Sequence, residues 1–566
     1  MLLLILVFGA LLRFYQISTT PPSLNWDEVS HGYNAYSILK IGRDEWGRFL
    51  PTIFRAYGDF KLPTYIYSSI FPIAVFGLNV FAVRFVSVVA GIVTILFTYK
   101  LVFELFYNDR NVKPLALMSA FLVAVEPWTL FLSRGAFEAN LALALIVLGF
   151  YLLLSGLRHH GRLVMGSIFL GLSVWTYNSA RVFVPVMLLA FGLIFAGDLK
   201  QVWKNKRVLA FSLVIIIILL GTMFLQLLNP EGSARFEWVS VFDQAFVNSV
   251  NEARNSSNVH PLVSRLIYNK ATFGVPVIFQ NWLSHYTPSF LFFKGGTHFQ
   301  FSVPERGILS VYNLLFLYFG IGMSILKIYK KENLKTHLFL LVWLVLGTVA
   351  SSITREAPHV LRSITMLPVP MIYIALGLVW FASKFKKRQL LVLAIYAGVI
   401  VSVTSNYMTD YLDSYRSDYS WSWQYGNEQM VDFVKQNYDD YAKIIITKKY
   451  GEPHEFILFH WPWDPEEYQK DDGKIRFFQT NWYWVDRFDK FYFVNDWEIV
   501  GVPEDPRSPT KFVLESREEE IDCGKIKCLL VTSPGNVPSG WRLLETVKFL
   551  NGQPAYEIYT NSVPMY

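Results

Sequence analysis

Apolar positions along this chain fall in two patterns. From the first residues to about 406, long unbroken apolar runs lie near 2–17, 84–106, 114–132, 139–157, 163–179, 182–197, 208–228, 308–328, 337–353, 361–382 and 389–406. A hydrocarbon core of roughly 30 Å needs about 20 apolar residues to cross, so these runs predict eleven membrane-spanning helices. The first lacks a basic start and a small-residue cleavage site and reads as a retained helix. Beyond 407 the apolar runs shorten and alternate. "AKIIIT", "KFYFVN", "KFVLES", "KCLLVT" and "AYEIYT" read as strands and "NEQMVDFVKQNY" as an amphipathic helix. The expected organisation is a polytopic α-helical membrane domain, 1–406, followed by a soluble α/β domain, 407–566. Two long loops, 18–83 and 229–307, interrupt the first.

Composition sharpens this picture. With 53% hydrophobic residues and a mean hydropathy of +0.32 over 566 residues, the chain is too apolar for a soluble enzyme. The net charge of +7 conceals an asymmetry: residues 407–566 carry 17 Lys/Arg against 27 Asp/Glu, and residues 1–406 carry 34 against 17. The basic excess belongs to membrane loops, and no nucleic-acid partner is implied. Holding Lys and Arg on the cytoplasmic side makes "YNDRNVK", "GLRHHGRL", "GDLKQVWKNKR", "LKIYKKENLK" and "SKFKKRQ" cytoplasmic. The N-terminus is then inside, while loop 18–83, the links "SRGAFEAN", "YNSAR" and "TREAPHVLR", loop 229–307 and the tail all lie outside. A multi-pass protein of the cell membrane is expected, with the lipid bilayer as one partner.

The outer loops hold the candidate chemistry. "SLNWDEVSHGYNAY" (23–36) sets Asp27 and Glu28 just beyond the first apolar run, and "GDFKLPTYIYSSIFPIAVFG" carries Lys61 into a Tyr-rich stretch suited to the membrane interface. A carboxylate at headgroup height serves as a general base, and a cation there serves a phosphate that gains charge as it leaves. Together they suggest group transfer from a lipid phosphate. Arg134, Arg181 and Arg362 stand at helix ends on the same side, where an arginine otherwise snorkels or pairs with a neighbouring carboxylate. His31, His285 and His359 are isolated, so zinc-ligand spacing is absent. Cys523 and Cys528, the two cysteines, flank "GKIK" between strand-like runs and are read either as a disulfide or as two thiols. The Trp- and Tyr-rich "HWPWDPEEY" and "NWYW" of the tail read either as sugar-stacking surfaces or as packing.

"WDE" after the first run, "DFKLPTYIY" followed by "FGLNVFAVRFVSVVAGIVTILFTYKL", then "SRGAFEANLALALIVLGFYLL", "GLSVWTYNSARVFVP" and "HVLRSITMLPVP" together resemble the GT-C membrane glycosyltransferases over most of 1–406. The branch most similar is that of the protein O-mannosyltransferases and lipid A aminoarabinose transferases. The resemblance implies a GT-C fold and inverting transfer of a sugar from a polyprenyl-phosphate donor, outside the cytoplasm, to a protein, lipid or glycan acceptor. It assigns Asp27 as base with Glu28 as adjacent partner, and Lys61 as a donor-phosphate contact; by their place at outer helix ends, Arg362, Arg134 and Arg181 are candidates for further phosphate contacts. His31, Tyr33, Glu138 and His359 are candidate substrate contacts. Two departures stand out: "KLP" replaces the family's "KPP", and Ser30 and His31 stand where the aminoarabinose branch has a basic residue and a tyrosine. No metal is required by this reading. A divalent ion on the loop carboxylates would follow the oligosaccharyltransferase relatives, but "WSWQYG" (421–426) has Gln where their "WWDYG" has Asp. A transporter or flippase of lipid-linked sugars is the alternative, although no internal repeat is visible.

Overall fold

The computed structural model describes residues 1–202, 205–502 and 505–561. Trp203 and Lys204 of the basic link 197–207 lie outside these residues. The chain divides into two compact units, the first comprising 1–15 and 87–408 and the second 16–86 and 409–566. The loop after the first helix is therefore counted with the tail rather than with the membrane helices.

In the first unit each predicted run from 114 onward, and the run 2–17, contains a helix. Among the described residues seven helices are long and apolar enough to cross a membrane, or eight if the bent pair Asn178–Ile194 and Ala196–Val202 is one span. Leu2–Phe14, Val112–Val125 and Arg162–Ser173 have 13, 14 and 12 residues. At 1.5 Å per residue each covers only ~18–21 Å, so by length the count is seven or eight rather than eleven. Lys206–Leu227 shows how such helices meet their surroundings: Phe211, Ile217 and Leu225 are each about two-thirds exposed. A contiguous apolar surface of this kind is stable against lipid and not against water. The protein is a polytopic helical membrane protein with a C-terminal sheet domain.

Two arginines brace the first unit from inside. Arg13, fully buried, donates to the carbonyls of Gly9, Val123 and Ala124. Arg134, also fully buried, donates to the carbonyls of Leu12, Arg13 and Tyr15 at the end of the first helix. Those carbonyls lack intrahelical partners, and a guanidinium satisfies several at once.

The second unit is built on a seven-stranded mixed sheet. Its strands run across in the order Trp541–Lys548, Pro554–Asn561, Cys528–Thr532, Lys443–Thr447, Phe491–Val494, Trp482–Phe488 and Ile475–Gln479, with the two pairings of Lys443–Thr447 parallel. Four of the five predicted strands enter this sheet, and "KFVLES" contributes Lys511–Val513 to a separate two-stranded sheet with Glu520–Asp522. The predicted helix appears as Asn427–Gln436. Ile445, Phe512, Leu530 and the disulfide Cys523–Cys528 share one buried core. From the loop 16–86 come the helix Trp26–Ile41, a hairpin of Phe54–Arg55 with Phe60–Lys61, and the helix Pro63–Phe76. That last helix buries Tyr65, Ile66 and Ile73 while Phe71, Val75 and Phe76 face outward, the profile of a helix lying in a membrane interface.

Candidate active site

Asn25 begins the helix that carries the acidic pair. Its side chain accepts from Glu28 N at 3.0 Å, and the Glu28 carboxylate accepts from Asn25 N at 3.2 Å, a reciprocal capping box that satisfies two helix-start donors. Successive helix residues point about 100° apart, so binding Glu28 inward turns Asp27 outward. Glu28 is 1% exposed and Asp27 43%.

Glu28 is wholly committed to the fold. Arg84 donates to both its carboxylate oxygens, at 2.9 and 3.1 Å, and also to the carbonyls of Ile17, Pro21 and Ser23. This fully buried guanidinium gathers the loop 17–28 around itself. Glu28 is therefore corrected from adjacent catalytic partner to the residue that anchors the helix bearing Asp27. Arg84 was not singled out in the sequence, although an arginine inside the apolar "FAVRF" and Asn25 three residues before Glu28 were the signals for it.

Lys61 closes the group. The short hairpin delivers its ammonium to Asp27 Oδ1 at 2.8 Å and to Asp59 Oδ2 at 3.6 Å, with Lys61 and Asp59 each only 9% exposed. Asp59 is in turn fixed by Phe60 N at 2.6 Å. Pro63, at the start of the following helix, tolerates the missing donor there, so "KLP" leads into a helix that one proline suffices to start. Lys61 stands between two carboxylates.

His31 and Tyr33 lie deeper on the same helix. His31 is buried with its ring 5.2 Å from that of Tyr65. Tyr33 donates to the carbonyl of Trp463 at 3.2 Å, and burial raises its hydroxyl well above the usual tyrosine range. Both are packing residues rather than substrate contacts, because neither side chain reaches a surface.

In the first unit the remaining candidates separate in the same way. Arg134 caps carbonyls as described. Arg181, 7% exposed, donates to the carbonyl of Val174 and to Gln226. Both guanidiniums are turned to partners within the protein, and neither faces an exposed carboxylate as Arg362 does. Arg362 differs: it donates to Thr354 Oγ1 at 3.0 Å and to Glu356 Oε2 at 2.9 Å, and Glu356 is 66% exposed. His359 Nδ1 accepts from Arg362 N at 3.2 Å. Burial first, then Arg362, His298, Arg235 and His285, hold His359 well below the usual imidazole range, so it is neutral. His285 is fixed between Asn281 O and Ser351 Oγ, each at 2.7 Å. Glu138, half-buried at the start of Glu138–Gly156, lies with Arg362 and Arg235 within electrostatic reach of Tyr177. Arg235 and His298, both in the loop 229–307, are additions that no motif in the sequence marked.

Residues 63–223 match the family described as dolichyl-phosphate-mannose-protein mannosyltransferase; that span includes Arg134, Glu138 and Arg181 and excludes Asp27, Lys61, His359 and Arg362. No curated protein matches the chain by sequence. Among solved structures, ArnT from Cupriavidus metallidurans in the apo state is similar at a TM-score of 0.53 and 10% identity, over 99% of this chain and 97% of that one. The same protein bound to undecaprenyl phosphate aligns at 0.47 and 11% identity, over 99% and 98%. The oligosaccharyltransferase of Archaeoglobus fulgidus in the apo form aligns at 0.46 and 15% identity, over 81% of this chain, which spans 62% of its length. The chain thus has the GT-C fold and is similar to the membrane glycosyltransferases of the protein O-mannosyltransferase and aminoarabinose transferase branch.

Proposed function

We propose that this protein transfers a sugar from a polyprenyl-phosphate donor to a hydroxyl-bearing acceptor, with inversion at the anomeric carbon. The observation that carries the proposal is the exposed Asp27 carboxylate, fixed at a capped helix start and paired with the sheltered Lys61. The donor class is supported by the family description matched over 63–223.

Asp27 takes the acceptor proton as the acceptor oxygen forms its bond to the anomeric carbon. The bond from that carbon to the phosphate oxygen breaks, and its electron pair leaves with the polyprenyl phosphate, through an oxocarbenium-like state. Lys61 couples the two events. While Asp27 is ionised, Lys61 holds it charged and oriented; once Asp27 is protonated the ion pair is discharged, and the ammonium turns to the phosphate that has just gained charge. No metal enters these steps. Arg362, whose carboxylate partner is exposed and whose second partner is a neutral hydroxyl, is an anion contact in its own unit. Basic residues in the short links support a cytoplasmic N-terminus, an outward-facing reaction and a cell-membrane location.

The test is transfer or donor hydrolysis by purified protein in nanodiscs, using a panel of radiolabelled polyprenyl-phosphate sugars and wild type beside Asp27→Asn. Turnover lost in the variant with donor binding retained is the expected result. No turnover of any donor, with protein-dependent movement of the same lipids across a vesicle bilayer, establishes a transporter instead.

A further inference from the structure

Away from Asp27 and Lys61, the second unit contains a buried cluster of carboxylates that the proposed reaction does not use. Glu45 lies in the turn "GRDEWG", Glu452 precedes the helix Pro453–His460, and His454 and Glu455 occupy its first turn. Glu45, Glu452 and Glu455 are 1%, 2% and 1% exposed and His454 is 3%. Ligand atoms of Glu45, His454 and Glu455 all lie within 4.8 Å of one another.

Were all three carboxyls ionised, the cluster would hold more negative charge than its neighbours balance; burial and mutual repulsion raise Glu455 well above the usual carboxylate range and Glu452 to about 8. Arg476 donates to Glu45 Oε1 at 3.0 Å, and Tyr468 donates to the same oxygen at 3.2 Å. The nearby Lys448 is engaged by Asp486 and Glu515. Trp482 Nε1 donates to Glu452 Oε1. Among the described residues Glu455 Oε2 is buried with no donor facing it, while the carboxyl interacts with Ser30 and with the Glu45 carboxyl. A buried carboxyl oxygen left in this way costs free energy unless something else meets it.

We propose that Glu45, His454 and Glu455 bind one divalent transition-metal ion of the Zn2+ class, with Glu452 orienting His454 from behind. His454 stands in the required attitude, with Nε2 3.9 Å from Glu45 Oε1 and Nδ1 3.5 Å from Glu452 Oε2. A carboxylate behind a ligating histidine fixes its tautomer and orientation. One imidazole with two carboxylates suits zinc more than magnesium or calcium, which take oxygen ligands. Ligands ~2.0–2.2 Å from the ion stand no more than ~4.4 Å apart, so closing on it requires side-chain movements of a few tenths of an ångström. Burial lowers the His454 imidazole and raises the Glu455 carboxyl, so uptake of the ion displaces a proton from Glu455.

The ion has a structural consequence within this unit. Glu45 is held by its turn, with Glu45 N on Asn34 Oδ1 at 3.0 Å, and Asn34 belongs to the helix Trp26–Ile41. A Cβ on Gly32 of that helix would lie 2.5 Å from Phe459, on the helix that carries His454 and Glu455. The metal therefore locks the helix bearing Asp27 to Pro453–His460.

The test uses tag-free full-length protein in nanodiscs, stripped with chelator and titrated with Zn2+, with bound metal and thermal midpoint read together. We expect about one equivalent per chain, a rise in midpoint of several degrees, and affinity at least tenfold weaker in His454→Gln and Glu455→Gln. Glu452→Gln, which removes the support and not a ligand, should weaken binding ~10–100-fold. Co2+ gives a readout that needs no variant, because a histidine–carboxylate site produces visible d–d bands. Stripped wild type that takes up neither ion and shows no change in midpoint overturns the proposal and leaves carboxyls that share protons. Variants that bind as wild type overturn it too, by placing the ion elsewhere.

Discussion

Two ion pairs, one in each unit, share a plan and differ in one partner. Lys61 is 9% exposed and faces Asp27 at 43%; Arg362 is 11% exposed and faces Glu356 at 66%. In both, a sheltered cation is covered by a carboxylate that meets solvent. Lys61, however, has a second, buried carboxylate in Asp59, whereas the other side-chain partner of Arg362 is the hydroxyl of Thr354. The first cation is neutralised where it stands, which suits orienting a base. The second keeps charge in reserve, which suits holding an anion. Their carboxylates differ as well: Asp27 is fixed by a capped helix, and Glu356 sits on an irregular segment.

The comparison is broken most severely at Asp27. Asp27→Asn should lower single-turnover transfer by ~10²- to 10⁴-fold, the usual worth of a general base, while the donor dissociation constant barely moves. An unchanged rate removes Asp27 from the chemistry. Its neighbour should behave in the opposite way. Glu28→Gln leaves Arg84 charged and underpaired in a buried site, and loss of about 3–5 kcal/mol is expected, seen as a lower thermal midpoint. Activity measured well below that midpoint should recover far more than in Asp27→Asn.

Acidification should act on both regions through their buried histidines. Burial pushes His285 down from 6.5 to about 4. Its folded-state value lies below its unfolded one, so its contribution is complete above pH 6.5 and is lost as pH falls from 6.5 toward 4, by up to ~3 kcal/mol. Hydrogen exchange over that range should speed up at 351–363, and the buried His460, also pushed down to about 4, should do the same at 453–460. Arg362→Gln should raise the donor KM about ten- to a hundredfold, consistent with loss of a charged hydrogen bond of ~1.5–3 kcal/mol, with kcat less affected. The smallest effect belongs to Glu356→Gln. An exposed pair contributes under about 1 kcal/mol, so stability should hardly change, and donor KM should fall slightly as Arg362 is released.

Much of the fold was legible along the chain because membrane helices and strands announce themselves by run length and alternation. The run "KIIIT" and the helix after Gly426 are examples. Span number was less legible: Val112–Val125 and Arg162–Ser173 are interrupted by Pro127 and the turn at 174–177, and hydropathy averages over such breaks. For the site, Asp27 and Lys61 could be named from the sequence, and their pairing could not. Arg134 and Arg181 look in one dimension like Arg362. They differ only in how many carbonyls and amides surround each guanidinium, a count that depends on distant segments.

What the sequence determined by itself is local: which runs are apolar enough for lipid, which alternate, and that an acidic pair and a lysine lie in the same outer loop. Tertiary structure alone decided that Glu28 faces Arg84 across 56 residues, that Lys61 reaches Asp27 across 34, and that Glu45 meets His454 and Glu455 from the far end of the chain. The reason is electrostatic. A buried charge is tolerable only where partners converge on it, and convergence is a property of the folded chain that no spacing in the sequence records.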